Sequence, residues 1–72
     1  MTEQEVREYR LMMFTSLLRT LGFVSHSRVL QCYRLFNQFV AEFPLAGDYN
    51  LDQKISDHNN MRVFIDYLKE GK

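Results

Sequence analysis

The chain has 72 residues and a formal net charge of zero, with 46% hydrophobic and 14% aromatic residues. This composition is typical of a folded chain, and the length allows one small helical domain over residues 1–72. A domain of this size buries only about 60% of its unfolded surface, and a single cysteine excludes an intrachain disulfide. Oligomerisation is the remaining common source of stability, so we expect a homodimer.

The charge is unevenly distributed along the chain. Residues 6–41 hold five arginines and one glutamate, a net charge of +4, whereas residues 42–72 hold six acids and four lysines or arginines, a net charge of −2. The longest apolar run, Leu11–Phe14, is far too short to span a membrane, and no export signal is evident at the N-terminus. With its one free cysteine, the sequence favours a cytoplasmic protein and a partner other than a membrane.

The first predicted helix runs from about Glu3 to Leu21. Thr2 and Glu5 match a capping box, in which two side chains satisfy two backbone N–H groups of the first turn. Gly22 should end the helix, because glycine adopts the left-handed conformation of a helix C-terminus at no steric cost. The apolar positions cover about half of the circumference, which is wider than one helical neighbour needs.

The second predicted helix, Val29–Phe43, carries three phenylalanines and one tyrosine. Either Ser25 or Ser27 should cap its start, and Pro44 should end it. The short link from the first helix predicts an antiparallel helical hairpin. We expect a core face and a margin on this helix. The predicted core residues are Val29, Cys32, Tyr33, Phe36, Val40 and Phe43, and the margin residues are Leu30, Leu35 and Phe39.

The last third of the chain predicts a turn and a third helix. Gly47 and Asn50 suit a turn after Pro44, and Asn50 can cap a short helical turn near residues 51–56. Asp57 or Asn59 should cap the third helix, over about residues 60–70. The expected fold is therefore all-α: a compact three-helix bundle built on an antiparallel hairpin, or four helices if the short turn stands alone.

The sequence carries no pattern typical of catalysis, metal binding or a cofactor. Asp48–Asn59 resembles an EF-hand calcium loop at several ligand positions, but Gln53 replaces its glycine and Asn59 its bidentate glutamate. Cys32 lies in the apolar face of its helix, and no basic group is positioned by the sequence to activate it. A chain this short can hardly enclose a substrate pocket, so neither an enzyme nor a small-molecule substrate is expected.

The favoured function is binding to another protein through a helix face. Aromatic anchors and methionine suit contacts between helices, because they supply a large apolar area and adapt to irregular surfaces. Candidate contact residues lie where the apolar arcs are widest, and two arginines would attract an acidic partner. The apolar candidates are Leu11, Met12, Leu30, Leu35 and Phe39, and the arginines are Arg19 and Arg34.

A DNA-binding regulator is the alternative function. Leu17–Arg34 resembles a helix-turn-helix, and the segment VSHSRVL is similar to the serine-rich start of a bacterial repressor's recognition helix. Its polar side chains can meet phosphates or base edges. These candidates are Ser25, His26, Ser27, Arg28, Gln31 and Arg34. Leu18 and Arg28 depart from the motif, since they occupy positions that are normally small and apolar, respectively.

Overall fold

Three helices make up the fold. The computed structural model describes residues 2–45 and 48–71, and all regular structure in those ranges is helical. The helices are α1 (Glu3–Thr20), α2 (Val29–Glu42) and α3 (Leu51–Glu70). They form a compact body of 33 × 22 × 19 Å, in which α1 packs against both α2 and α3. The all-α, three-helix prediction is confirmed.

Both ends of α1 follow the local sequence. The Thr2 N–H donates to Glu5 Oε1 at 2.8 Å, and the Glu5 N–H donates to Thr2 Oγ1 at 3.2 Å, so the predicted capping box is confirmed. The hydrogen bond from the Thr2 backbone holds the pKa of Glu5 below its ordinary value. At the other end Gly22 has φ +74°, and its N–H donates to the Arg19 carbonyl at 3.1 Å. This is the left-handed helix end that glycine permits.

The start of α2 differs from the prediction. Neither Ser25 nor Ser27 caps the helix: Arg28 is the N-cap residue, and no side chain bonds the first turn. The Arg28 N–H instead donates to the Ser25 carbonyl at 3.1 Å, and the two serine hydroxyls bond each other at 2.9 Å. Because this turn precedes the helix, α2 begins only at Val29. The two serine hydroxyls therefore lie too far before the first turn to accept hydrogen bonds from its free N–H groups. The helix ends at Glu42, just ahead of Pro44 as predicted.

The predicted division of the third segment into two helices is wrong. Asn50 caps α3 as expected, accepting the Gln53 N–H at 3.0 Å, but the helix then continues without a break to Glu70. Neither Asp57 nor Asn59 is a cap, because both lie inside this helix. The segment that resembles a calcium loop is therefore helical from Leu51 onward. The predicted role of Gly47 lies outside the described residues.

The core is a cluster of aromatic and aliphatic side chains between the three helices. The Phe14 ring centroid lies 5.8 Å from that of Phe36, 5.4 Å from that of Phe39 and 6.0 Å from that of Phe64. Each helix therefore contributes an aromatic ring to the same contact. The buried core residues are Phe14, Leu18, Val24, Cys32, Phe36, Phe39, Met61, Phe64 and Ile65.

The core face of α2 is rotated from the predicted one. Phe39 was expected at the margin but is fully buried, because α3 brings the Phe64 ring to 5.5 Å from it. Val29 and Tyr33 were expected in the core but remain 46% and 49% exposed. Within the described chain no third element covers their side of α2. Cys32 and Phe36 are buried as predicted.

Candidate interaction surface

A buried ion pair ties α1 to α3. Arg10 donates from Nε to Asp57 Oδ2 at 3.0 Å and from Nη2 to Asp57 Oδ1 at 2.9 Å, and both side chains are buried. Arg10 Nη2 also donates to the Phe43 carbonyl at 2.8 Å, which adds the end of α2. The Tyr49 hydroxyl donates to Asp57 Oδ2 at 2.7 Å. One network therefore joins all three helices and the segment before α3.

The same network favours the neutral form of the Tyr49 phenol. Burial, and then the hydrogen bond to Asp57, raise the pKa of Tyr49 well above its ordinary value. The Arg10 guanidinium lies 5.2 Å from the centroid of the Phe39 ring, which adds a cation–π contact. Since each carboxylate oxygen of Asp57 accepts at least one bond, we interpret this network as a structural tie between helices.

The sequence contained a signal for this network that our predictions missed. Arg10 lies four residues before Phe14 and Asp57 four residues before Met61, so each charge falls in the apolar row of its helix. A charge in such a row is buried only with a partner. Opposite charges in the apolar rows of two helices therefore suggest a pair, although the sequence does not say which acid meets which base.

A groove between α1 and α2 is the strongest candidate for a binding site. It encloses about 250 Å³ beside the second half of α1 and the start of α2. Its lining residues are Glu8, Leu11, Met12, Thr15, Arg19, Val29, Cys32 and Tyr33. Met12 is 64% exposed, and Val29 and Tyr33 are about half exposed, while Cys32 is buried and Leu11 half-buried. The groove thus has a covered apolar floor and uncovered apolar walls.

A second cavity lies where the start of α1 meets the end of α2. It also measures about 250 Å³, and the Arg7 guanidinium lies 5.8 Å from the centroid of the Phe36 ring beside it. Its lining residues are Glu3, Val6, Arg7, Arg10, Phe36, Val40, Pro44 and Leu45. The two cavities have no lining residue in common, so they are separate openings beside the contact between α1 and α2.

One base, Arg19, and one acid, Glu8, line the groove. Arg19 lines it, and the Nε atom of Arg19 is buried without a hydrogen-bond partner among the described residues. Arg28 and Arg34 line a different depression, on the outer surface of α2, and the only acid of α2 is its last residue, Glu42. A buried donor without an acceptor costs free energy, so a partner carboxylate that reached Arg19 would be favoured.

The structure divides the candidate residues for protein binding. Leu11, Met12 and Arg19 line the groove. Leu30, Arg34 and Leu35 line a shallow depression on the outer surface of α2, and Leu30 is exposed whereas Leu35 is half-buried against the core. Phe39 belongs to neither surface because it is fully buried.

Sequence reasoning missed Val29 and Tyr33 as surface residues. The apolar arc of α2 is too wide for the two helices that cover it, and this excess width was the available signal. Which edge of the arc stays open depends on where α3 packs, and that position is set by residues far along the chain.

The candidate residues for DNA binding do not share one helix. Ser25, His26, Ser27 and Arg28 are exposed in the connection before α2, which begins at Val29. The other two, Gln31 and Arg34, lie on α2. Of the six, Arg28, Gln31 and Arg34 line the depression on the outer surface of α2.

In residues 2–45 and 48–71, no group of three or more histidine, cysteine, aspartate or glutamate side chains is arranged to hold a metal ion. None of the described helices combines the length and the apolar character needed to cross a bilayer. Comparisons with protein-family models, with curated proteins and with solved structures found no match.

Proposed function

We propose that this protein is a small helical interaction protein that binds another protein through the α1–α2 groove. The observation that supports binding is that Met12, Val29 and Tyr33, which line one groove, are 64%, 46% and 49% exposed. In this proposal the protein is an antiparallel helical hairpin closed by α3, forms a homodimer and acts in the cytoplasm. Its single, buried cysteine is compatible with a reducing compartment.

The groove suits an amphipathic helix better than a small molecule. It runs between two helices, from Glu8 to Arg19 of α1 and beside Val29 and Tyr33 of α2, so a third helix could lie along it. Fully burying one large apolar side chain contributes about 1.5–3 kcal/mol, so three half-exposed walls offer roughly 3–4 kcal/mol before the costs of association. Met12 adds adaptability, because its unbranched side chain follows irregular surfaces.

The charged residues that line the groove favour one kind of partner helix. Arg19 lines the groove, and its Nε lacks an acceptor among the described residues. Glu8 is the one acid that lines the groove itself, and its Oε2 accepts a hydrogen bond from Gln4 at 3.4 Å. The favoured partner is therefore a helix with apolar residues on one face and an acid beside that face that can meet Arg19.

Capture from an extract of the source cell tests the proposal. The wild type, Tyr33→Glu and Gln53→Glu would each be immobilised, and the captured proteins measured by quantitative mass spectrometry. Gln53 is exposed on α3 away from the groove, so Gln53→Glu adds the same charge without touching the walls. We expect proteins held by the wild type and by Gln53→Glu to be lost with Tyr33→Glu. An identical set on all three would refute binding through the groove.

DNA binding is a second candidate, carried by one observation. Arg28, Gln31 and Arg34 line a single open depression on α2 whose positive charge could meet phosphates. Binding of a labelled duplex, measured by fluorescence anisotropy, should then weaken steeply as salt rises, and Arg34→Ala should reduce the salt dependence. No anisotropy change at about 50 mM salt with any duplex would exclude this function.

A further inference from the structure

Four of the residues that line the groove form a straight row along α1. This row, here the α1 row, consists of Glu8, Met12, Thr15 and Arg19. Its spacings of four, three and four residues return each time to the same side of a helix. From its first to its last residue the row is about 16 Å long, at 1.5 Å per residue. The residues of the α1 row can therefore all meet one neighbouring helix.

The α1 row has an acid at one end and a base at the other. Glu8 is exposed, and the hydrogen bond that its Oε2 accepts from Gln4 is long, at 3.4 Å. Arg19 Nε is buried without an acceptor among the described residues. The sequence has no acid between Glu8 and Glu42, so α1 offers Arg19 no nearby carboxylate. A carboxylate from a second molecule would supply the missing acceptor.

The two middle residues of the α1 row are suited to apolar contact. Met12 is 64% exposed. Thr15 Oγ1 donates to the Leu11 carbonyl at 3.0 Å, so the hydroxyl is satisfied within α1 and the methyl group remains for packing. The order along the row is therefore acid, apolar, apolar, base. When the helix is turned end for end, the order becomes base, apolar, apolar, acid, which is the complement of the first.

We propose that two copies of this chain pair through the α1 row, with their α1 helices antiparallel. A two-fold axis midway between Met12 and Thr15 places these two residues opposite each other and Glu8 opposite Arg19, because both pairs are centred on the same point of the helix. The dimer then contains two ion pairs between Glu8 and Arg19. This inference rests on the proposed function, because it assigns a second copy to the same groove. Since the contact is isologous, both copies use and cover the same surface.

The contact should be weak and directional. It is about 16 Å long and two helices, or roughly 20 Å, wide, which is smaller than a standard interface of about 800 Å² per partner. Exposed ion pairs add little affinity in water, so those between Glu8 and Arg19 mainly set the direction in which the helices pair. A partner helix would occupy the same groove as the second copy. Partner binding should therefore compete with self-association.

A charge swap tests the direction of pairing. Arg19→Glu places two acids opposite each other at both ends of the contact, and Glu8→Arg places two bases there. When one chain carries both changes, every ion pair is restored with its acid and base exchanged. Arg62→Glu and Asp66→Arg make the same changes of charge at exposed positions of α3, outside the groove. Circular dichroism would verify that each variant is folded.

Sedimentation equilibrium at increasing protein concentration measures the association. We expect the wild type, the two α3 variants and the double swap to dimerise alike. Each single swap should raise the dissociation constant about tenfold or more, because like charges then face each other twice. An equimolar mixture of Glu8→Arg and Arg19→Glu should dimerise like the wild type, since each acid again lies opposite a base.

Disulfide cross-linking tests the register without relying on charge. In the proposed dimer residue 8 of one copy lies opposite residue 19 of the other, whereas the two copies of residue 8 are about 16 Å apart along the helices. A disulfide requires Cα atoms within about 7 Å. Oxidised glutathione should therefore cross-link a mixture of Glu8→Cys and Arg19→Cys but neither variant alone. A mixture of Glu8→Cys and Gln53→Cys gives the background, and the native Cys32 is buried.

Four outcomes would overturn the proposal. They are a wild type that stays monomeric up to about 1 mM, a folded single swap that dimerises like the wild type, a double swap that fails to dimerise, and a mixture of cysteine variants that cross-links no more than its background. If Arg19→Glu does not fold, the cross-linking decides alone. None of these results removes the Tyr33-dependent capture of another protein. Failure of the self-contact and failure of the proposed function are therefore read from different experiments.

Discussion

Substitution of Asp57 by alanine should be among the most destabilising changes in this protein. Asp57→Ala removes both carboxylate bonds of Arg10 and the acceptor of the Tyr49 hydroxyl. Arg10 keeps only its bond to the Phe43 carbonyl, and because its side chain is buried, water cannot replace the lost carboxylate. The variant therefore leaves an uncompensated positive charge inside the protein.

The expected cost is a large share of the total stability. Breaking a buried ion pair by removing one partner costs about 3–5 kcal/mol. A chain of this length has a free energy of unfolding of about 4–11 kcal/mol, at 0.05–0.15 kcal/mol per residue. Asp57→Ala should consequently lose a large part of its free energy of unfolding and unfold at a much lower urea concentration than the wild type.

A double-mutant cycle measured by urea unfolding, with far-UV circular dichroism as the signal, tests the magnitude. Arg10→Met and Asp57→Leu, made singly and together, remove one or both charges while keeping apolar volume. The double variant should recover most of the loss, because it buries no charge. It should still lose about 1 kcal/mol for each of the Tyr49 and Phe43 hydrogen bonds. Single variants that each cost less than about 1 kcal/mol would refute the argument.

Three further changes have definite expected outcomes. The raised pKa of Tyr49 means that the unfolded chain ionises this phenol first as pH rises through about 10, so folding stability should fall there, and Tyr49→Phe should flatten that fall in thermal denaturation. Phe36→Ala should cost about 3–5 kcal/mol, so a urea midpoint equal to that of the wild type would place Phe36 outside the core. At Gly22, where φ is +74° and an added Cβ meets no atom within 4 Å, alanine should cost about 1–2 kcal/mol from backbone strain alone; an unchanged melting temperature would contradict this.

The sequence predicts those parts of the fold that depend on neighbouring residues. Thr2, Glu5 and Gly22 act within one turn of α1, so both ends of that helix could be read directly. The break predicted near Asp57 was wrong for a different reason. An aspartate after polar residues is a common helix cap, and only the distant Arg10 reveals that this one is an ion-pair partner in the middle of a helix.

The candidate interaction surface was predictable only in part. Met12 lies outside the apolar arc of α1, so its exposure follows from helical periodicity. Tyr33 and Phe39 occupy opposite edges of one apolar arc on α2, and periodicity alone does not decide which edge α3 covers. The exposed apolar residues of α3, Leu51, Ile55, Val63 and Tyr67, share one helix only because α3 is continuous, and the sequence predicted a break there.

The ion pair between Arg10 and Asp57 also has a consequence for folding kinetics. Its two residues are 47 positions apart, whereas individual helices form from local contacts in about a microsecond. The pair can be desolvated only after α1 and α3 have docked, so it should be absent from the folding transition state. Asp57→Ala should then accelerate unfolding and leave the folding rate nearly unchanged in stopped-flow experiments. The lifetime of the folded protein would depend on an interaction that plays no part in how fast it forms.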